Sequence, residues 1–408
     1  MPTPTPTPAP SPTPSPTPTP STTVTVTFIN GTPLAVATQV RNGSFTSATP
    51  GSQVTLMVPN GTTTYAIAFL CPTVTTTPIF NFEIVVESTI QDATSLTENC
   101  LAPPNTGAAT GNVSSSIPGT AGLEIRGPQN TGTNINSASG SFSAAMPVGQ
   151  NDVAVTALDS LGNVLGAKIL RSQTVPGTIG GSGITLAAPN DATTTQSVTI
   201  ANVPAGFASP SGLVIYHTPN GTAFTVSPNA SNLPNPTPYA VVPAASTQAG
   251  DFYQYFTSFT DLATGSQLIG AGMTTTSGAG AVTLTAPVPW TYSGPVPANL
   301  PTFTYNYSGF TGFPTTLEDA EVSWPVSATT TNEILVTATA NFLNGATIIT
   351  IPDLSGVSGF LTPAPSGTTI GWFALILGGN PQAVVNLVNP PANASGIFVR
   401  TGGQFTQP

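Results

Sequence analysis

One histidine and two cysteines stand beside fifteen carboxylates in this 408-residue chain, so acids outnumber every other group able to do chemistry. A Ser-His-Asp arrangement would have to recruit His217. That residue ends an apolar run, Gly212 to Tyr216, immediately before the turn-forming Thr218-Pro219-Asn220-Gly221. No Gly-x-Ser-x-Gly elbow accompanies it, so we read His217 as a strand-end residue. Zinc needs three or four His or Cys ligands, and the chain holds three such residues in all. The densest acidic cluster is Glu318-Asp319-Ala320-Glu321. Acids so close suit a calcium ion, which takes 6–8 oxygens, or a glycosidase pair set about 5–9.5 Å apart. The plainer reading is a polar loop before the strand Val322-Ser323-Trp324. Asp152 and Asp159 flank a hairpin and are a further calcium candidate between domains. No cofactor is expected, and calcium is the one ion for which Glu318, Asp319 and Glu321 are candidates. Trp290, Trp324 and Trp372, with tyrosines such as Tyr292, suit either a sugar-binding face or sandwich cores.

Composition narrows the class. Charged residues are 5% of the chain, against about 25% in an ordinary soluble domain. Hydrophobic residues are 39%, enough for packed cores. Thr, Gly and Pro favour strands and turns over helices. Net charge is −10, and the five basic residues (Arg41, Arg126, Lys168, Arg171 and Arg400) are scattered. Nucleic acid binding needs clustered cations to displace counterions from phosphates, so it is excluded, and an anionic membrane surface is a poor partner for the same reason. The longest apolar runs, such as Trp372 to Leu377, are too short to span a bilayer. Lysine usually guards sheet edges. Its near absence leaves glycans, or assembly itself, to account for the edges.

Cys71 and Cys100 are expected to form a disulfide, the alternative being two buried thiols. The bond would close a loop of about 30 residues, stabilise by about 3–4 kcal/mol, and imply an oxidising compartment.

These groups are positioned by strands. Residues 1–21 are a Pro/Thr tether. Alternate prolines remove every second amide donor and give a polyproline II rod of roughly 60 Å. Thr3, Thr5, Thr7, Thr13, Thr17 and Thr19 are O-glycosylation candidates within it. Four sandwiches are expected, at 22–102, 103–189, 190–288 and 289–408. In the first, Thr23 to Ile29 alternates cleanly, and Asn30-Gly31 and Asn60-Gly61 read as hairpin turns. In the second, Val153 to Thr156 alternates, Asp159-Ser160-Leu161-Gly162-Asn163 is turn chemistry, and Val164 resumes a strand. That hairpin and the later strand at Ile184 return about 100 residues on, as Phe252 to Ala271 and Val282 to Pro287. Gly140-Ser141-Phe142 echoes Gly43-Ser44-Phe45. Eight Asn-x-Ser/Thr sequons, at Asn30, Asn42, Asn60, Asn112, Asn220, Asn229, Asn306 and Asn393, are about what chance gives in so Ser/Thr-rich a chain; they support Asn in turns and do not establish N-glycosylation.

Val155 to Asn163, V-T-A-L-D-S-L-G-N, resembles the A-x-D-x-x-G-N hairpin of bacterial immunoglobulin-like repeats. The Pro-Thr leader, the Cys-Pro…Cys first unit, T-Y-N-Y-S-G-F (304–310) and I-P-D-L-S-G (351–356) resemble repeat-built envelope proteins of Deinococcus-Thermus bacteria. The resemblance implies tandem immunoglobulin-like β-sandwiches and an extracellular or cell-surface location. We therefore expect a non-enzymatic structural protein that binds itself or other envelope proteins in a filament or surface layer. The strand carrying Val24, Val26 and Phe28 is the assembly candidate. The alternative is a monomeric stalked adhesin or carbohydrate-binding protein, with glycans as partners.

Overall fold

The computed structural model describes residues 21–29, 31–41, 43–71, 79–100, 106–128, 131–203, 205, 211–228, 235–260, 267–275, 282–285, 290, 292–307, 315–379 and 396–408. The first segment forms β1 (Ser21–Ile29), β2 (Ala35–Val40), β3 (Thr46–Ala48), β4 (Gln53–Pro59), β5 (Thr64–Cys71), β6 (Ile79–Thr89) and β7 (Ser95–Asn99). The second forms β8 (Thr106–Ser115), β9 (Gly122–Arg126), β10 (Gly132–Ile135), β11 (Ser139–Pro147), β12 (Gly149–Leu158), β13 (Val164–Val175), β14 (Gly177–Thr178) and β15 (Ile184–Leu186). The third forms β16 (Thr194–Ala201), β17 (Ser211–His217), β18 (Ala223–Thr225), β19 (Thr237–Val241), β20 (Phe252–Thr260), β21 (Gln267–Thr275) and β22 (Val282–Thr285). The fourth forms β23 (Thr302–Thr304), β24 (Thr315–Ser327), β25 (Thr330–Thr339), α1 (Ala340–Leu343), β26 (Ile348–Thr350), β27 (Thr369–Gly379) and β28 (Gly396–Thr406).

The first three segments repeat one plan. The opening strand lies between the fourth strand, antiparallel, and the last, parallel: β4-β1-β7, then β11-β8-β14 with β15 also on β8, then β19-β16-β22. The other sheet runs β3-β2-β5-β6, β10-β9-β12-β13 and β18-β17-β20-β21. The all-β sandwich architecture is as expected. The hairpin readings at Asn30-Gly31 and Asn60-Gly61 need correcting. β1 pairs with β4 and β7 and not with β2, and β4 does not pair with β5. A turn does close after β4, where Thr62 N–H donates to the Pro59 carbonyl at 3.0 Å and Gly61 takes φ 82°. It carries the chain from one sheet to the other.

Two sheets are buried on both faces. In β12 and β13, Val153, Val155 and Ala157 enter the second core, while Ala154, Ala167 and Ile169 enter the third. In β2, β5 and β6, Val36, Ile67, Phe69 and Val86 fill the first core, while Ala37, Ala68 and Val85 face the fourth. A strand covered on both sides tends to lose its polar face, which is why Tyr65–Cys71 of β5 and Val153–Leu158 of β12 are mostly apolar.

The fourth segment extends the first. β25 pairs in parallel with β6, giving one eight-stranded sheet, β28-β27-β24-β25-β6-β5-β2-β3. The sheet therefore runs across the boundaries drawn at 102 and 289, and residues of the first segment also enter the fourth core. The antiparallel pair β23–β26, with Phe303, Tyr305 and Ile349, covers the inner face of this sheet. Among the described residues no helix is long and apolar enough to cross a membrane.

Candidate functional site

Strand β24 carries the cluster expected to bind calcium or act as an acid pair. Successive side chains of a strand point to opposite faces, and this separates the acids. Glu318 lies on the face of Ala320, Val322 and Trp324, against the fourth core, and is 8% exposed. Asp319 and Glu321 lie on the other face. The calcium site expected at Glu318, Asp319 and Glu321 is corrected accordingly, because the three cannot converge on one ion. Among the described residues no group of three or more potential ligands is arranged to hold a metal.

The outer face holds a different cluster. Glu321 and Glu333 lie diagonally across the β24–β25 pair. The Arg400 guanidinium on β28 lies 3.6 Å from Glu321 Oε2 and 3.8 Å over the Phe373 ring. Burial pushes Glu333 up to about 8, and its neighbour Glu321 adds to the shift. Burial also raises Glu321, against the opposing pull of Arg400. Asp319 is pushed up to about 7 chiefly by burial, with Thr337 bonding and Arg400 working against it.

More acids lie inside. Glu83 is fully buried, and its Oε2 accepts from Leu361 N–H at 2.9 Å. Burial pushes Glu83, Glu87 and Glu318 up to about 7. Glu83 Oε1 and Glu318 Oε2 have no hydrogen-bond partner. The sequence reading missed Glu83, Glu87 and Glu333. A signal was present, since Glu83, Val85 and Glu87 alternate within β6 and so share one face.

Asp152 and Asp159 do not meet. Asp152 binds Arg171, with Nη1 to Oδ2 at 2.9 Å, and accepts from Ser172 N–H and Asn220 Nδ2. Arg171 also binds Asp251 at 2.5 and 3.1 Å and the Ser246 carbonyl at 2.8 Å. Tyr216 donates to the same Asp251. This network ties the second segment to the third, and a cation already occupies the place proposed for calcium. Asp159 instead closes its own turn, accepting from Leu161 N–H, Asn163 N–H and Asn163 Nδ2, each at 2.8 Å.

His217 stacks flat on Phe252, with ring centroids 4.7 Å apart, and burial lowers it to about 4. It is neutral at neutral pH. The three tryptophans are 5–8% exposed. Trp290 stacks among Tyr292, Tyr305 and Tyr307, and Trp372 meets Tyr292 edge-on. The aromatic platform expected around Trp290 and Tyr292 is thus part of the fourth core.

Cys71 and Cys100 form the expected disulfide, with Cα atoms 5.0 Å apart, linking the end of β5 to the residue after β7. Val24, Val26 and Phe28 are 0–4% exposed in the first core, so they are not an open edge. Thr3, Thr5, Thr7, Thr13, Thr17 and Thr19 lie outside the described residues, as do the sequons at Asn30, Asn42, Asn229 and Asn393. No protein-family model matches this sequence, and no curated protein is significantly similar to it.

Proposed function

We propose that this chain is a secreted or cell-surface structural protein that assembles with itself, or with other envelope components, through the edges of its sandwiches. One observation carries the reading. In each of the first three segments the strands closing the two sheets on one side carry no charged residue: β3 and β4, β10 and β11, β18 and β19. A row of free amides and carbonyls is a template for another strand, and proteins that must stay apart guard it with lysine or inward charge. β4 and β11 are the longest of these, with alternate side chains buried and exposed. Strand addition needs neither charge nor pocket, which suits a chain with 5% charged residues. A stalked monomeric carbohydrate-binding protein is the other reading, and burial of all three tryptophans takes away its aromatic platform.

Electron microscopy of the protein from its source, with intact mass, tests this. We expect filaments or a lattice, with mass above that of the polypeptide on the Pro/Thr tract. Dispersed monomers at high concentration would overturn the assembly reading.

A further inference from the structure

We propose that β1 is exchanged between copies of this chain, the Ser21–Ile29 strand of one copy filling the slot between β4 and β7 of the next. The inference rests on the assembly reading above and names the element that would carry it.

The strand is central to its sheet, between β4 and β7. It pairs antiparallel with β4 from Ser21↔Pro59 to Thr27↔Gln53 and parallel with β7 from Thr25↔Ser95 to Ile29↔Asn99. Its inward residues Val24, Val26 and Phe28 pack with Val54, Leu56, Val58 and Leu96. It forms no ladder with β2, the next strand of its own chain. After β1 the chain continues through residues 30–34, a link of at most about 17 Å when extended. In that link Gly31 holds φ 143°, and Leu34 is 63% exposed, an apolar side chain where two exchanged copies would meet.

The slot has walls that do not depend on β1. The Cys71–Cys100 bond anchors the end of β7 to β5 in the opposite sheet. The Pro59–Thr62 turn holds the end of β4 to the start of β5. Removing β1 would leave a row of apolar side chains facing water and two lines of unpaired backbone groups. An identical strand from a second copy satisfies all of them in the same register. The closed and exchanged forms share every β1 contact and differ in the path of the link between β1 and β2, the situation in which exchange costs little and short links promote it. Each copy gives one strand and receives one, a head-to-tail contact that continues as a filament unless its rotation closes a ring.

The register supplies the test. Thr25 N–H donates to the Thr94 carbonyl, so its backbone faces β7, and Thr25–Thr55 is a non-hydrogen-bonded pair of the β1–β4 ladder. Such pairs have Cα atoms about 4.5 Å apart, within disulfide range. Chains carrying Thr25→Cys and chains carrying Thr55→Cys are folded together and oxidised. We expect reducible dimers joining the two introduced thiols, several-fold above either variant alone. Dimers no more abundant than with one variant alone, in a sample that still assembles by microscopy, overturn the exchange and leave edge assembly standing. A sample that neither cross-links nor assembles overturns both.

Discussion

The two doubly buried sheets join their neighbours by opposite electrostatic means. Between the second and third sandwiches, Arg171 neutralises Asp152 and Asp251, whose side chains are 1% and 0% exposed. Between the first and fourth, the eight-stranded sheet buries Glu83 and Glu318 without a basic partner and gives Glu321 and Glu333 only Arg400 to share. A chain with five basic residues cannot pair every buried acid. It pairs those at one junction, while at the other burial raises the proton affinity of Glu83 and Glu318. The first junction should therefore fail when its cation is removed, and the second when protons are removed.

The largest effect is expected from Arg171→Met. It leaves Asp152 and Asp251 buried without their cation, which costs about 3–5 kcal/mol. Chemical denaturation at pH 7 should show that loss, and Lys in place of Arg should recover only part of it, since one ammonium cannot span both carboxylates. A destabilisation below about 1 kcal/mol would mean that the two junctions do not differ as described.

The pH response tests the other side. Glu83, Glu87, Glu318 and Asp319 are pushed up to about 7 and Glu333 to about 8, from ordinary values of 4.5 and 3.8. The folded state thus holds protons more tightly than the unfolded chain. Its stability contribution is fully present below about pH 4 and is lost as pH rises through 7 to 8. Melting temperature should fall across that range. Glu83→Gln should flatten part of the fall, stabilising by on the order of 2–3 kcal/mol at pH 8 and by almost nothing at pH 4. Equal effects at both pH values would count against a protonated Glu83.

The smallest effect concerns the β12–β13 turn. Asp159→Ala removes three hydrogen bonds from a turn at the surface and should cost about 1 kcal/mol. It should leave the Arg171 junction, at the other end of the hairpin, unchanged in a double-mutant cycle.

What the sequence made legible was local. The β12–β13 hairpin was readable because Asp159 and Asn163 sit within one turn and the strands beside it pair with each other. Asn30-Gly31 has the same chemistry and misled, because a turn residue fixes backbone shape and not which strand comes to lie alongside. The three-fold repeat was visible in spacing, while the position of each closing strand beside the first depends on partners about 70 to 85 residues away. The carboxylates on β24 looked like a cluster because they are adjacent in sequence, and adjacency in a strand means opposite faces. Glu333 and Arg400 join Glu321 through strand pairing that no local signal records.

The parallel union of β6 with β25 also sets a clock. Asn81 and Asn332, bonded across it at 2.7 Å, are 251 residues apart. At roughly 5–20 residues per second of synthesis, the first sandwich waits some 10 to 50 s for the strand that covers its flank. Throughout that interval the edge of β6 opposite β5 is an unpaired template, and high contact order slows the closure further. Yield and solubility in a cell should therefore depend on whatever shields that flank while the remainder of the chain is made.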